Sequence, residues 1–187
     1  MILPRLLLAA STAALAAPAM AASGQSATAQ GQAEAVVVEP IVAVALNDLD
    51  FGSLTASATA SGSVTVDPGG GASYAGGAAP ACPGGSCAGI APARFAVRGE
   101  ASRSYRVNAP AAITATGTLI GSGATAPDLA IDALLVHLDS HTGGDTTSGK
   151  LDTKGQDQIT IGGRLNVPAG TSAAHYHATL TILVTYS

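Results

Sequence analysis

Four histidines, His137, His141, His175 and His177, are the side chains best suited to metal binding or proton transfer. His175 and His177 are two residues apart, so in an extended strand they project from one face, where the other two could complete a copper or zinc site. No thiolate, methionine cluster or carboxylate spacing accompanies them. We therefore expect exposed histidines, no metal and no other cofactor. The alternative to this expectation is that the histidines are functional. The protein would then be a self-contained periplasmic β-sandwich that binds a ligand or metal through them.

Acidic side chains give a weaker signal for catalysis. Asp128, Asp132 and Asp139 surround one predicted strand, and His141 follows two residues after Asp139. Acidic residues beside turns are usually the solvated ends of strands. The sequence has no G-x-S-x-G elbow, H-E-x-x-H helix or phosphate-binding loop. We predict that the protein is not an enzyme.

The two cysteines, Cys82 and Cys87, lie in the sequence CPGGSC within a Gly/Ala/Pro-rich stretch over residues 68–92. This spacing is not the C-x-x-C of redox motifs, and no second pair is present for a zinc site. In an exported protein we expect a local disulfide between them, which stabilises by about 2 kcal/mol and holds one loop.

The first 21 residues have the features of a secretory signal: Arg5, a short apolar stretch over residues 6–17 and the cleavage pattern Ala19-Met20-Ala21. The apolar stretch is too short to span a bilayer, so no integral membrane segment is expected after cleavage. The remaining 166 residues (187 minus 21) carry 7 basic residues (8 minus Arg5) and 12 acidic residues. This net negative charge argues against nucleic acid as a partner.

Small apolar and polar residues alternate over residues 26–37, near the start of the mature chain. A solvated linker is the simple alternative, but the three β-branched residues Val36 to Val38 are unusual in a linker. We predict an extended strand that completes a sheet edge of another subunit. One parity of this strand forms a small apolar face: Ala27, Ala29, Gly31, Ala33, Ala35 and Val37.

The C-terminal residues alternate in the same way. His175, His177 and several threonines occupy alternate positions, so in an extended strand they share one face. We predict a single half-buried strand that ends at Ser187 and whose far edge has no covalent partner, which leaves an apolar groove. Its inward face is formed by Tyr176, Ala178, Leu180, Ile182, Val184 and Tyr186.

The rest of the chain predicts one antiparallel β-sandwich, because short apolar segments alternate with Gly, Pro, Asp and Asn and no long amphipathic helix is apparent. Pro40 separates the tail from this domain, and residues 41–46 form a continuous apolar run expected to be covered on both faces. The predicted division is a signal peptide over 1–21, a donor-strand extension over 22–39 and the sandwich over 40–187. Further strands are predicted at 49–54, 62–66, 94–98, 104–107, 113–119, 131–138, 158–161 and 165–167.

Several sequence blocks, taken together, resemble a family of bacterial secreted proteins, domain of unknown function 4402. The blocks are LDFG at 49–52, FAVRG at 95–99, YRVNAP at 105–110, ITIGGRLNV at 159–167 and the Tyr-ended final strand. The resemblance implies kinship with fimbrial and spore coat protein U-like subunits of the chaperone-usher pathway.

Such subunits resemble immunoglobulin-like sandwiches that lack their last strand. A periplasmic chaperone supplies that strand before an outer-membrane usher adds the N-terminal extension of the next subunit. The resemblance thus implies these partners, homologous subunits, and export through the periplasm to a fimbrium-like fibre on the cell surface. It also implies that Gly31 passes close to the groove and that Tyr186 is the penultimate tyrosine of the family. His175 and His177 flank Tyr176 where the family usually has small residues.

Overall fold

The computed structural model describes residue 24 and residues 29–82, 89–144 and 146–187. These ranges contain thirteen β-strands and no helix, and the paired strands run antiparallel. The prediction of an all-β antiparallel sandwich is confirmed. In chain order the strands are β1 (Val42–Asn47), β2 (Leu54–Ala56), β3 (Gly62–Val66), β4 (Ala72–Gly76), β5 (Ala78–Pro80), β6 (Ala93–Arg98), β7 (Ser104–Asn108), β8 (Ala112–Leu119), β9 (Thr125–Leu138), β10 (Ser148–Lys150), β11 (Gln156–Val167), β12 (Ala174–His177) and β13 (Leu183–Tyr186).

The large sheet is organised around the long strand β11. One edge of β11 pairs with β9. Its other edge pairs first with β6 and then with β3, so that the sheet order is β1-β6-β11-β9-β8-β12 with β3 and β4 attached beside β6. Ala133 of β9 has a φ of 48°, and the facing part of β11 has a register shift between Gly162 and Arg164. Such irregularities bend a strand and increase its local twist, so each half of the sheet covers a different part of the core.

Two small sheets form the second layer, one with the order β10-β7-β13 and one in which β2 pairs with β5. The first core cluster lies between β6, β9 and β11 on one side and β7 on the other, and includes Val97, Tyr105, Leu138 and Ile159. The second cluster lies beside β2 and β5 and includes Val64, Ala115, Leu129, Ile131 and Leu165. Aliphatic side chains from alternate strand positions fill both, as the period of two requires.

Three tyrosine rings pack over glycines. Tyr176 and Gly117 face each other across β12 and β8, and Tyr105 and Gly149 face each other across β7 and β10. A Cβ at Gly117 would lie 2.5 Å from the ring of Tyr176, and a Cβ at Gly149 would lie 2.8 Å from that of Tyr105. The third pair is Tyr186 with Gly99. With 3% aromatic residues in the chain, these rings supply bulk where the glycines leave room.

The strand predictions need four corrections. Residues 49–53 do not form a strand, since only Asp50 makes an isolated bridge, to Ala91. Strands β4, β5 and β10 were not predicted, because they are short and contain mostly Gly, Ala, Ser, Pro and Lys, most of which have little strand preference. The two strands predicted between 158 and 167 are one continuous strand. The predicted run at 41–46 overlaps β1, which begins at Val42, but β1 is an end strand with all six residues exposed, not a strand covered on both faces.

The predicted C-terminal strand is also corrected. It consists of two short strands in different sheets, because β12 pairs with β8 and β13 pairs with β7. Residues 178–182 between them belong to no strand. The predicted inward parity largely holds: Tyr176, Leu180, Ile182, Val184 and Tyr186 pack against the core clusters, whereas Ala178 is exposed.

The chain divides into two units, Met1–Val36 and Val37–Ser187. The first contains the described residues 24 and 29–36, which are exposed and outside any strand. Ala27 of the predicted donor strand lies outside the described residues, as does the predicted signal peptide. Cys87 also lies outside them, so its disulfide with Cys82 stays a prediction. The described residues include no helix long and apolar enough to cross a membrane.

Candidate strand-binding groove

A groove of about 960 Å³ opens along one edge of the sandwich. Its two walls are residues 45–56 on one side and residues 171–180 on the other, and we call it the edge groove. Its floor consists of apolar side chains of the large sheet, so the edge groove gives access to the second core cluster. These floor residues are Ala93, Phe95, Ile113, Ala115, Leu129, Ile131, Leu165 and Val167.

The wall formed by residues 171–180 has an unpaired stretch of backbone at its end. Residues 178–182 are in no strand, and no backbone hydrogen bond outside the strands joins them to another described residue. Their side chains still alternate, since Leu180 and Ile182 pack on the first core cluster while Thr179 and Thr181 are exposed. The segment therefore keeps the side-chain alternation of a strand while its backbone N–H and C=O groups have no ladder partner among the described residues.

The opposite wall is held by turns and short bridges instead of a continuous ladder. The Asp50 N–H donates to the carbonyl of Ala91, and the Asp50 carboxylate accepts the Gly52 N–H at 2.7 Å. Phe51 and Leu54 point from this wall to the second core cluster. The sequence predicted a strand here instead of this wall. The alternation of Leu49 and Phe51 with aspartates is the sequence feature that indicated residues directed to the core.

The predicted groove residues divide between two places. Tyr176 and Leu180 line the edge groove. Ile182, Val184 and Tyr186 instead cover the first core cluster next to Ile41. The edge groove is therefore open mainly above the second cluster, while the C-terminal residues themselves cover the first. This division was not predicted.

The donor-strand residues Ala29, Gly31, Ala33, Ala35 and Val37 are all exposed. A Cβ at Gly31 would meet no atom within 4 Å. The backbone over these residues is irregular, so its amide and carbonyl groups have no ladder partner among the described residues.

The four histidines are not gathered into one cluster. His175 and His177 are exposed at the rim of the edge groove, His137 is in β9 and His141 follows the end of that strand. No group of three His, Cys, Asp or Glu side chains that could hold a metal occurs among the described residues. Asp132, one of the acids considered for catalysis, instead forms a two-bond ion pair with Arg164 across β9 and β11. The pKa of Asp132 is lowered, and the hydrogen bond from Arg164 is the largest cause.

A partly buried polar contact joins the two layers of the sandwich. The Tyr105 hydroxyl donates to Asp157 at 2.6 Å, and the same carboxylate accepts the N–H groups of Ser140 and Gln158. Burial, with the Asp157 hydrogen bond, raises the pKa of Tyr105 above its usual value. By contrast, the hydroxyls of Tyr74 and Tyr176 are buried without a hydrogen-bond partner.

A family model described as domain of unknown function (DUF4402) matches residues 41–186, which is most of the chain. The chain belongs to the DUF4402 family. The match confirms the resemblance seen in the sequence blocks, and its limits enclose β1, both walls of the edge groove and Tyr186. Comparison with curated proteins and with solved structures gave no match. The edge groove and the exposed tail are the features of this DUF4402 chain that bear on its function.

Proposed function

We propose that this DUF4402 protein is an exported structural subunit that polymerises by donor-strand complementation. In this proposal, residues 27–37 of one copy lie in the edge groove of another copy and add a strand to its sandwich. The observation that carries the proposal is the extended, apolar-facing and unpaired segment 178–182 beside a groove that opens onto the core.

The energetics favour a strand as the occupant. An added strand along residues 178–182 forms about five backbone hydrogen bonds, each with a net contribution of about 0.5–1.5 kcal/mol. Side chains of the donor that point to the floor add burial at about 25 cal/mol per Å². Small donor residues such as Ala29, Gly31 and Ala33 suit a floor that is already largely filled by Leu129, Ile131 and Leu165.

This arrangement joins subunits head to tail. The donor and the groove are different surfaces of the same chain, so each copy presents one of each and the interaction is heterologous. Such contacts generate open fibres when the rotation between copies does not close a ring. The proposed product is a fimbrium-like fibre or coat on the cell surface.

The unpaired edge and the apolar groove also favour assembly partners that cover them during export. An unpaired edge beside an apolar groove is an aggregation hazard during export. A periplasmic chaperone that lends a strand, and an outer-membrane usher that exchanges it for the tail of the next copy, would keep the edge groove covered. The proposal requires no cofactor and no catalytic residue.

The experiment compares two tryptophan substitutions in neighbouring tail positions of the full mature chain. Gly31→Trp places a large ring on the face that enters the groove, whereas Gln32→Trp places the same ring on the opposite face. We expect wild type and Gln32→Trp to form polymers and Gly31→Trp to remain monomeric, as measured by light scattering and electron microscopy. Equal polymerisation of both variants, or a wild-type chain that stays a stable monomer, would contradict the proposal.

A further inference from the structure

Three hydrogen bonds close a ring around the residue that precedes Pro40. The Glu39 N–H donates to the Glu100 carboxylate at 3.0 Å. The Glu100 N–H donates to the Tyr186 hydroxyl at 2.7 Å, and that hydroxyl donates to the Glu39 carbonyl at 2.7 Å. Both backbone polar groups of Glu39 are thereby satisfied by residues at least 61 positions away in the sequence.

The surroundings of Tyr186 hold its ring in this position. A Cβ on Gly99 would collide with the Tyr186 hydroxyl, so the glycine leaves the space that the hydroxyl occupies. The Arg103 guanidinium lies 4.9 Å from the centre of the Tyr186 ring, at a distance typical of cation–π contacts. The ring also packs against the first core cluster. Tyr186 is thus fixed by packing on one end and by hydrogen bonds on the other.

The three hydrogen bonds lie just before the start of β1, a strand with few other contacts to hold it in place. Strand β1 pairs with β6 on one side only, and all six of its residues are exposed. Pro40 has no N–H and cannot donate to a ladder. An end strand with little burial is the element most readily detached by local opening. The contacts at Glu39 continue the attachment of the chain past the proline, with side chains in place of a strand partner.

We propose that Tyr186 is a clamp that ties the start of β1 to the C-terminal strand β13 and transmits tension from the tail to it. The tension role rests on the proposed function. In a fibre held by donor strands, a pull on the tail reaches Glu39 before it reaches Val42. The clamp directs that load to β13, which is paired with β7. Without it, the pull acts directly on the terminal pair of β1 and β6.

The chain provides a matched control for removing this hydroxyl. Tyr186→Phe removes two hydrogen bonds and keeps the ring, whereas Tyr74→Phe removes a buried hydroxyl that has no partner and lies outside the edge groove. In the full mature chain, we expect Tyr186→Phe to speed amide exchange of Glu39, Glu100 and β1 about tenfold, equivalent to about 1.4 kcal/mol. Tyr74→Phe should leave those amides unchanged. Unchanged exchange in Tyr186→Phe would overturn the clamp.

A second variant reaches the same contact from the opposite side. Gly99→Ala leaves Tyr186 intact but displaces its hydroxyl, so it should reproduce the faster exchange of β1. Normal exchange of β1 in this variant, although the Tyr186 hydroxyl is displaced from Glu39, would overturn the clamp.

The tension role is tested on assembled fibres by force spectroscopy. Fibres of Tyr186→Phe should extend at a lower force than those of wild type or Tyr74→Phe, and equal forces would overturn the tension role. If no fibres form, the proposed function fails and the tension role with it. The exchange measurement decides the clamp in either case, because it reads a contact within one molecule.

Discussion

Replacing Tyr105 with phenylalanine tests how the two layers of the sandwich are held together. The ring of Tyr105 is fully buried in the first core cluster, and its hydroxyl donates to the Asp157 carboxylate at 2.6 Å. Phenylalanine fills the same space, so no large cavity is created. The carboxylate keeps its bonds from Ser140 and Gln158, both of which go to its other oxygen. The substitution therefore removes the hydrogen bond to this charged acceptor and leaves the other bonds of the carboxylate in place.

The expected loss follows from the kind of bond removed. Hydrogen bonds to charged groups contribute about 1.5–3 kcal/mol, so we expect the free energy of unfolding to fall by about 2 kcal/mol. For a chain of this size that corresponds to a decrease in Tm of about 4–8 °C. Tyr176→Phe is the control, because its hydroxyl is buried without a partner and its loss should cost nothing or stabilise slightly.

Denaturant unfolding of both variants and the parent chain measures these differences. The raised pKa of Tyr105 adds a second readout at alkaline pH. Above about pH 10 the unfolded chain ionises this phenol while the folded chain keeps the proton, so stability falls as pH rises. Tyr105→Phe should remove this component, up to about 1.4 kcal/mol per pH unit. If Tyr105→Phe costs no more than Tyr176→Phe and the alkaline slope is unchanged, the Asp157 contact does not hold the layers together.

Two further substitutions test local packing and charge. Gly117→Ala should destabilise by about 1–3 kcal/mol, because a Cβ there meets the Tyr176 ring, whereas Gly69→Ala has open space and should be neutral; equal melting temperatures of the two variants would contradict this. Asp132→Asn should cost about 0.5 kcal/mol or less near neutral pH, because the side chains of its ion pair with Arg164 are 34% and 44% exposed and solvent screens the pair. Since the pair lowers the pKa of Asp132, its contribution is present above about pH 4 and disappears as pH falls further. The variant and the parent should therefore converge in stability near pH 2, and a constant difference from pH 7 to pH 2 would refute the assignment.

The sequence predicted the strand class and the inward faces well because both depend on local alternation. The predicted segment 62–66 is β3 itself, and the inward parity of Leu180, Ile182, Val184 and Tyr186 holds even where the backbone is unpaired. Alternation requires only an extended chain. It carries no information on whether a neighbouring strand is present, so the break over 178–182 and the change of sheet between β12 and β13 were not predictable.

The predictions for β1 and for residues 48–53 were wrong for a related reason. An apolar run such as residues 42–46 indicates burial only if other elements cover it, and coverage is a property of the whole fold. Asp48 and Asp50 interrupt a segment that still supplies Leu49 and Phe51 to the core. The contacts of Tyr186 with Glu39 and Glu100 join residues 147 and 86 positions apart in the sequence, which no local pattern could reveal.

The position of the tail in the assembled protein decides whether subunits polymerise by donor-strand complementation. Cryo-electron microscopy of the purified mature chain, assembled with or without its export partners, would locate residues 27–37. We expect these residues to form a strand in the edge groove of a neighbouring copy, paired along residues 178–182. A stable single molecule whose own chain closes that groove, or an assembly in which the groove stays empty, would contradict it.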